Sequence, residues 1–106
     1  MIRLLLITCL MVLTVGCATH YYQVRGDTLE LYLDKPDARK VIFVSSLDGF
    51  KPHEAHKPDG RWVISVPSGR QFRYFYMIDG EPFLPPCQLK ESDDFGSENC
   101  IFDPEL

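Results

Sequence analysis

The 106-residue chain lacks any run of about 20 apolar residues, the length a helix needs to span a bilayer. It also lacks a cluster of lysine and arginine. With 11 basic against 15 acidic residues its formal net charge is −4, a balance that argues against nucleic-acid phosphates as partners. There is no internal repeat and no low-complexity segment. No window offers a convincing helix, because the 8 prolines and 7 glycines interrupt every candidate. Cysteine is scarce, with 4 in all, and tryptophan occurs once.

What is present begins at the amino end. Arg3, an apolar stretch from Leu4 to Val15 and the small residue Gly16 have the layout of a secretory leader over residues 1–16. The ending Thr14-Val15-Gly16-Cys17 resembles the lipobox of bacterial lipoproteins, in which a cysteine is lipidated and the leader is cut just before it. Leucine is commonest where this chain has Thr14, and looser forms of the pattern accept the change. The other reading is an ordinary cleaved leader that happens to contain a cysteine. By the resemblance, Cys17 carries the lipid and anchors the chain in the cell envelope. Ala18, rather than Asp, after the cysteine implies the outer membrane.

Export decides the cysteine arithmetic. Cys9 leaves with the leader and Cys17 carries lipid, so Cys87 and Cys100 remain as the single pair in an oxidising compartment. A disulfide between them is the economical expectation, contributing on the order of 3 kcal/mol by constraining the unfolded chain. Loss of Arg3 takes the 11 basic residues to 10 against 15 acidic ones, net −5.

Residues 17–27 read as a lipidated cysteine and tether, and 28–106 as one small domain. Within it, "TLELYL" (28–33), "RKVIFVSS" (39–46), "RWVISV" (61–66), "RQFRYFYMI" (70–78) and "NCIFD" (99–103) have the composition or alternation of strands. Turn chemistry separates them at 34–37, Asp48-Gly49, 58–60, 67–69 and Asp79-Gly80. Short strands at this spacing predict an all-β, antiparallel sandwich.

Several motifs in order resemble the glycogen-binding domain of the AMP-activated protein kinase β subunit, in carbohydrate-binding module family 48. They are "VIFVSSLDGFKP" (41–52), Gly60-Arg61-Trp62, Pro67-Ser68-Gly69, "FRYFYMIDG" (72–80) and Gly96-Ser97-Glu98-Asn99. The resemblance covers residues 40–102 and implies an immunoglobulin-like, early-set β-sandwich that binds α-glucan or another envelope polysaccharide without catalysis. In the family, aromatic rings stack on sugar faces while a lysine and an asparagine bond hydroxyls. Apolar pyranose faces suit such rings, and a few polar groups fix orientation. The first platform falls on Phe50. The second has Pro82 at its spacing and Phe83 one place later. The lysine falls on Phe75, so that donor is lost, while the asparagine falls on Asn99. Trp62 matches a core residue of the family.

Phe50, Phe83 and Asn99 are therefore the expected carbohydrate-binding residues. Each also has a structural reading: core packing for the two rings, and a turn cap for Asn99. The altered site leaves a second possibility, a structural or protein-interaction module in the envelope that has lost its sugar. No nucleophile–base pair stands out, so no enzyme activity and no cofactor are expected. His53 and His56 in "HEAH" lack the helical spacing of a zinc site, and "ESDDFGSEN" (91–99) lacks the ligand spacing of a calcium loop. No metal is expected.

Overall fold

The computed structural model describes residues 19–92 and 96–105. The leader, Cys17 and the acids Asp93 and Asp94 lie outside the described residues. Among those described there is no α-helix, only strands and one 3₁₀ turn at Ser46–Asp48. The strands are β1 (His20–Arg25), β2 (Thr28–Leu33), β3 (Val41–Ser45), β4 (Pro52–Glu54), β5 (Trp62–Pro67), β6 (Phe72–Ile78), β7 (Glu81–Phe83), β8 (Leu89–Ser92) and β9 (Glu98–Phe102). A small sheet runs β1-β2-β5 and a large one β4-β3-β6-β9-β8, with β7 added to β6. Every pairing is antiparallel. The fold is the all-β, antiparallel sandwich the strand pattern predicts, consistent with the immunoglobulin-like form the resemblance implies.

Period-2 alternation builds the core. Leu29, Leu31 and Leu33 of β2 point inward beside Trp62 and Ile64 of β5, and all five are buried. Opposite them stand Val41 and Phe43 of β3, Phe72, Tyr74 and Tyr76 of β6, and Cys100 and Phe102 of β9. Burying a side chain of this size contributes about 1.5–3 kcal/mol. The rings add edge and tilted contacts, Phe43 lying 5.6 Å from both Tyr74 and Tyr76. Trp62 has the core position expected of it, with its indole N–H donating to the Lys35 carbonyl at 3.0 Å.

The segment read as a tether is different. Only Ala18 separates Cys17 from the described chain, and residues 20–25 form β1, paired along its whole length with β2. The cause is a two-residue hairpin: Arg25 pairs with Thr28, and Gly26 supplies φ +62 at the first central position. His20, Tyr22 and Val24 are paired with the buried Leu33, Leu31 and Leu29, yet Tyr22 and Val24 remain exposed at this edge. Their mixed polarity hid the alternation from the sequence.

His20 is the unusual member of that strand. Its Nε2 meets the Tyr76 hydroxyl at 3.0 Å, and its ring stands edge-on to Tyr76 at 5.5 Å. Burial lowers its pKa to about 4, against a backbone hydrogen bond at Pro86 that acts the other way. The imidazole is therefore neutral at pH 7. Burial likewise pushes the Tyr74 and Tyr76 hydroxyls far above their ordinary range.

The Cys87–Cys100 disulfide is formed, with a Cα–Cα separation of 6.0 Å. It ties the loop after β7 to the buried middle of β9.

Candidate ligand-binding groove

Antiparallel register decides which side chains share the outward face of the large sheet. Val44 pairs with Phe75, and Met77 with Pro82. Glu91 pairs with Asn99, while Arg73 and Leu89 both pair with Ile101. On this face lies a groove of about 1040 Å³, lined by Val44, Phe50, Arg73, Phe75, Pro82, Phe83, Leu84, Lys90, Glu91 and residues 96–99. Its size is at the upper end for small-ligand clefts.

Phe50 stands at the rim and is 45% exposed. Behind it the 3₁₀ turn is capped by Ser45, whose side chain accepts from the Leu47 amide, and the turn ends with Gly49 at φ +76. Phe50 follows at φ +66, a conformation that non-glycine residues rarely adopt. Such backbone costs about 1–3 kcal/mol and persists only where its surroundings impose it. Here the Phe50 amide donates to the Ser45 carbonyl at 2.8 Å, closing the loop that turns the ring outward. Asp48 helps hold the same loop. It accepts from the Lys51 amide at 3.2 Å and pairs with His53. The His53 hydrogen bond keeps the Asp48 carboxyl below its ordinary range.

Asn99 is 7% exposed, on the outward side of β9, and lines the groove. Phe83 is divided between two roles. The register sets Phe83 opposite Tyr76, on the inward side, where it packs against the core. Its ring carries the Lys35 ammonium 4.4 Å from the centroid, and it also lines the groove. Pro82, at the spacing of the second platform, is the neighbour that faces outward with Met77. The three expected residues thus meet at one groove, Phe50 exposed, Asn99 nearly buried and Phe83 half-buried.

Arg73, Glu91 and Lys90 were missed from sequence. Arg73 and Glu91 form an ion pair that runs diagonally across β9. The alternation of β6 already put Arg73 beside Phe75. The acid and Lys90 were invisible because "LKES" carries too little apolar alternation to announce β8. Chemically, the groove offers an apolar floor from Val44 and Phe75, a projecting ring, one amide side chain and one ion pair. That set can bind and orient a neutral or weakly charged ligand.

The "HEAH" histidines part company: His53 turns to Asp48, while His56 exchanges backbone hydrogen bonds with Val63 at 3.0 and 2.7 Å. Among the described residues no three histidine, cysteine or acidic side chains gather as a metal site. Among them, too, no helix is long and apolar enough to cross a membrane. No family model matches the chain, and no curated protein shows significant similarity to it.

Proposed function

We propose that this chain is an envelope lipoprotein, anchored through Cys17, whose β-sandwich binds a carbohydrate without catalysis. One observation carries the reading: Phe50, Phe83 and Asn99, far apart in sequence, line a single groove. An exposed ring held outward by a left-handed backbone is the kind of platform on which a pyranose face stacks. The adjacent amide and the Arg73–Glu91 pair supply directional hydrogen bonds. The ligand is an α-glucan or another envelope polysaccharide, and the motif order of residues 40–102 favours the former. Lipidation is supported by the leader and the Thr14–Cys17 pattern, and Ala18 favours the outer membrane.

The test is titration of the chain from Ala18 onward, which keeps every core residue, with maltoheptaose, amylose and cell-surface polysaccharide. Heat or gel retardation is expected with one of them, and Phe50→Ala is expected to remove it. Absence of binding to all three sinks the carbohydrate reading. A second reading, docking of a protein partner, is favoured by Phe75, an apolar residue where the family carries a lysine, and by Phe83, whose ring is spent partly on the core. Cross-linking in intact cells that recovers a partner at Phe50 or Phe75, together with failed glycan binding, selects it.

A further inference from the structure

The loss of the tether has a consequence for where the domain sits. The Thr19 carbonyl accepts a hydrogen bond from the Asp34 amide at 2.8 Å, and His20 is held by Tyr76. The fold therefore grips the chain from Thr19 onward. Two residues of extended chain reach only about 7 Å, close to the roughly 5–8 Å depth of one headgroup layer. A lipid on Cys17 would hold this end of the sandwich against the headgroups.

At this end is a hollow of about 460 Å³ whose wall includes Thr19, Asp34, Lys35, Phe83 and Lys90. Two lysines and one aspartate line it, a local positive balance on a chain whose formal charge is −4. The cation–π contact with Phe83 holds Lys35 in place.

We propose that this hollow takes the phosphate of an anionic lipid headgroup from the anchoring membrane, bound by Lys35 and Lys90. The proposal rests on lipidation of Cys17, put forward above. Its occupant follows from the short reach of the anchor and from the charge of the hollow. Lysine near an anionic surface gains attraction that falls off within a Debye length, so only residues held close to the bilayer benefit. Phe83, Leu84 and Lys90 line both this hollow and the groove, so the groove opens beside the headgroup layer.

The experiment uses the mature lipidated protein, purified with its own leader processed and reconstituted into vesicles. Lysine acetylation is read residue by residue by mass spectrometry. Phosphatidylglycerol-containing vesicles are compared with pure phosphatidylcholine vesicles and with detergent plus inorganic phosphate. Labelling of Lys35 and Lys90 is expected to fall about fivefold in the anionic vesicles alone, with Lys51 unchanged as the internal control. Equal protection in both vesicle types means shielding by proximity and overturns the anionic-phosphate site. Protection by inorganic phosphate in detergent overturns the membrane as its source. No protection anywhere overturns the docking itself. The intact mass separates these from failure of the premise: an unmodified Cys17 overturns the proposal together with the lipoprotein reading, whatever the lysines do.

Discussion

The outward faces of the two sheets are built from the same alternation and end differently. On the small sheet, long side chains pair with one another across strands. Tyr21 stacks on Tyr32 at 4.9 Å, Arg61 lies over the Tyr21 ring and bonds its hydroxyl, and Arg25 meets Glu30 at 2.9 Å. On the large sheet, Val44 and Phe75 form a floor, Phe50 stands clear of it, and residues of β7, β8 and 96–99 line the rest of the groove. Cross-strand pairs stabilise a surface by consuming its recognition groups. The large-sheet face also carries one such pair, Arg73 with Glu91, but it leaves a concavity with the exposed Phe50 ring beside it, and that is the face available for a ligand.

That contrast can be broken most severely from beneath. Phe43, buried under the groove floor, is expected to cost about 3–5 kcal/mol on change to Ala, enough to unfold a domain of this size. Phe75→Ala, one strand away on the outward face, should cost far less. Urea denaturation of the two variants compares the faces of one sheet directly. Next comes the staple: Cys87→Ala with Cys100→Ala should remove about 3 kcal/mol, read as a lower urea midpoint with little change in slope.

The pH dependence comes third and tests the small sheet's first strand. His20 has a folded pKa of about 4, below the ordinary 6.5, so between those values the unfolded chain binds more protons. Stability is fully present above about pH 6.5 and is lost as pH falls toward 4, by up to about 3 kcal/mol. His20→Gln should lower stability at pH 7 but flatten the profile between pH 4 and 6.5. A profile that keeps its slope in the variant would assign the acid sensitivity elsewhere.

Smaller effects bear on the groove. Phe50→Gly relieves the left-handed backbone and should leave stability equal or higher by about 1 kcal/mol, while glycan binding is lost. Equal loss of both would make Phe50 a structural residue. Smallest of all, Arg73→Gln should change stability by less than about 1 kcal/mol, as for other exposed ion pairs, so any larger effect on glycan binding isolates its role in the groove.

How much of this was legible in the sequence depended on the position of each strand. The strands read correctly include all those with neighbours on both sides, β2, β3, β6 and β9, because burial on an inner face demands regular apolar spacing. β5, though at an edge, was equally clear from Trp62, Ile64 and Val66. The strands missed, β1, β4, β7 and β8, each pair with one neighbour only. An edge strand is held mainly by backbone hydrogen bonds, which leave little trace in side-chain order. The site followed the same rule. Phe50 and Asn99 were named through the family resemblance, whose motifs lie in a turn and a central strand that the sequence shows clearly. Lys90 and Glu91 were not, because β8 was not seen. Phe83 was assigned as the aromatic one place after the resemblance's second platform position, and only the register with Tyr76 shows that it lies on the inward side.

By itself the sequence determined the class of fold, the turns and the bonded cysteine pair. Alternation, turn residues and the arithmetic of four cysteines are local or countable quantities. Only the tertiary structure decided that residues 20–25 are sheet and not tether, and that Phe50, Asn99, Arg73 and Glu91 share one groove. Those outcomes depend on which strands lie side by side and in what register, a matter of long-range pairing that no stretch of the chain encodes alone.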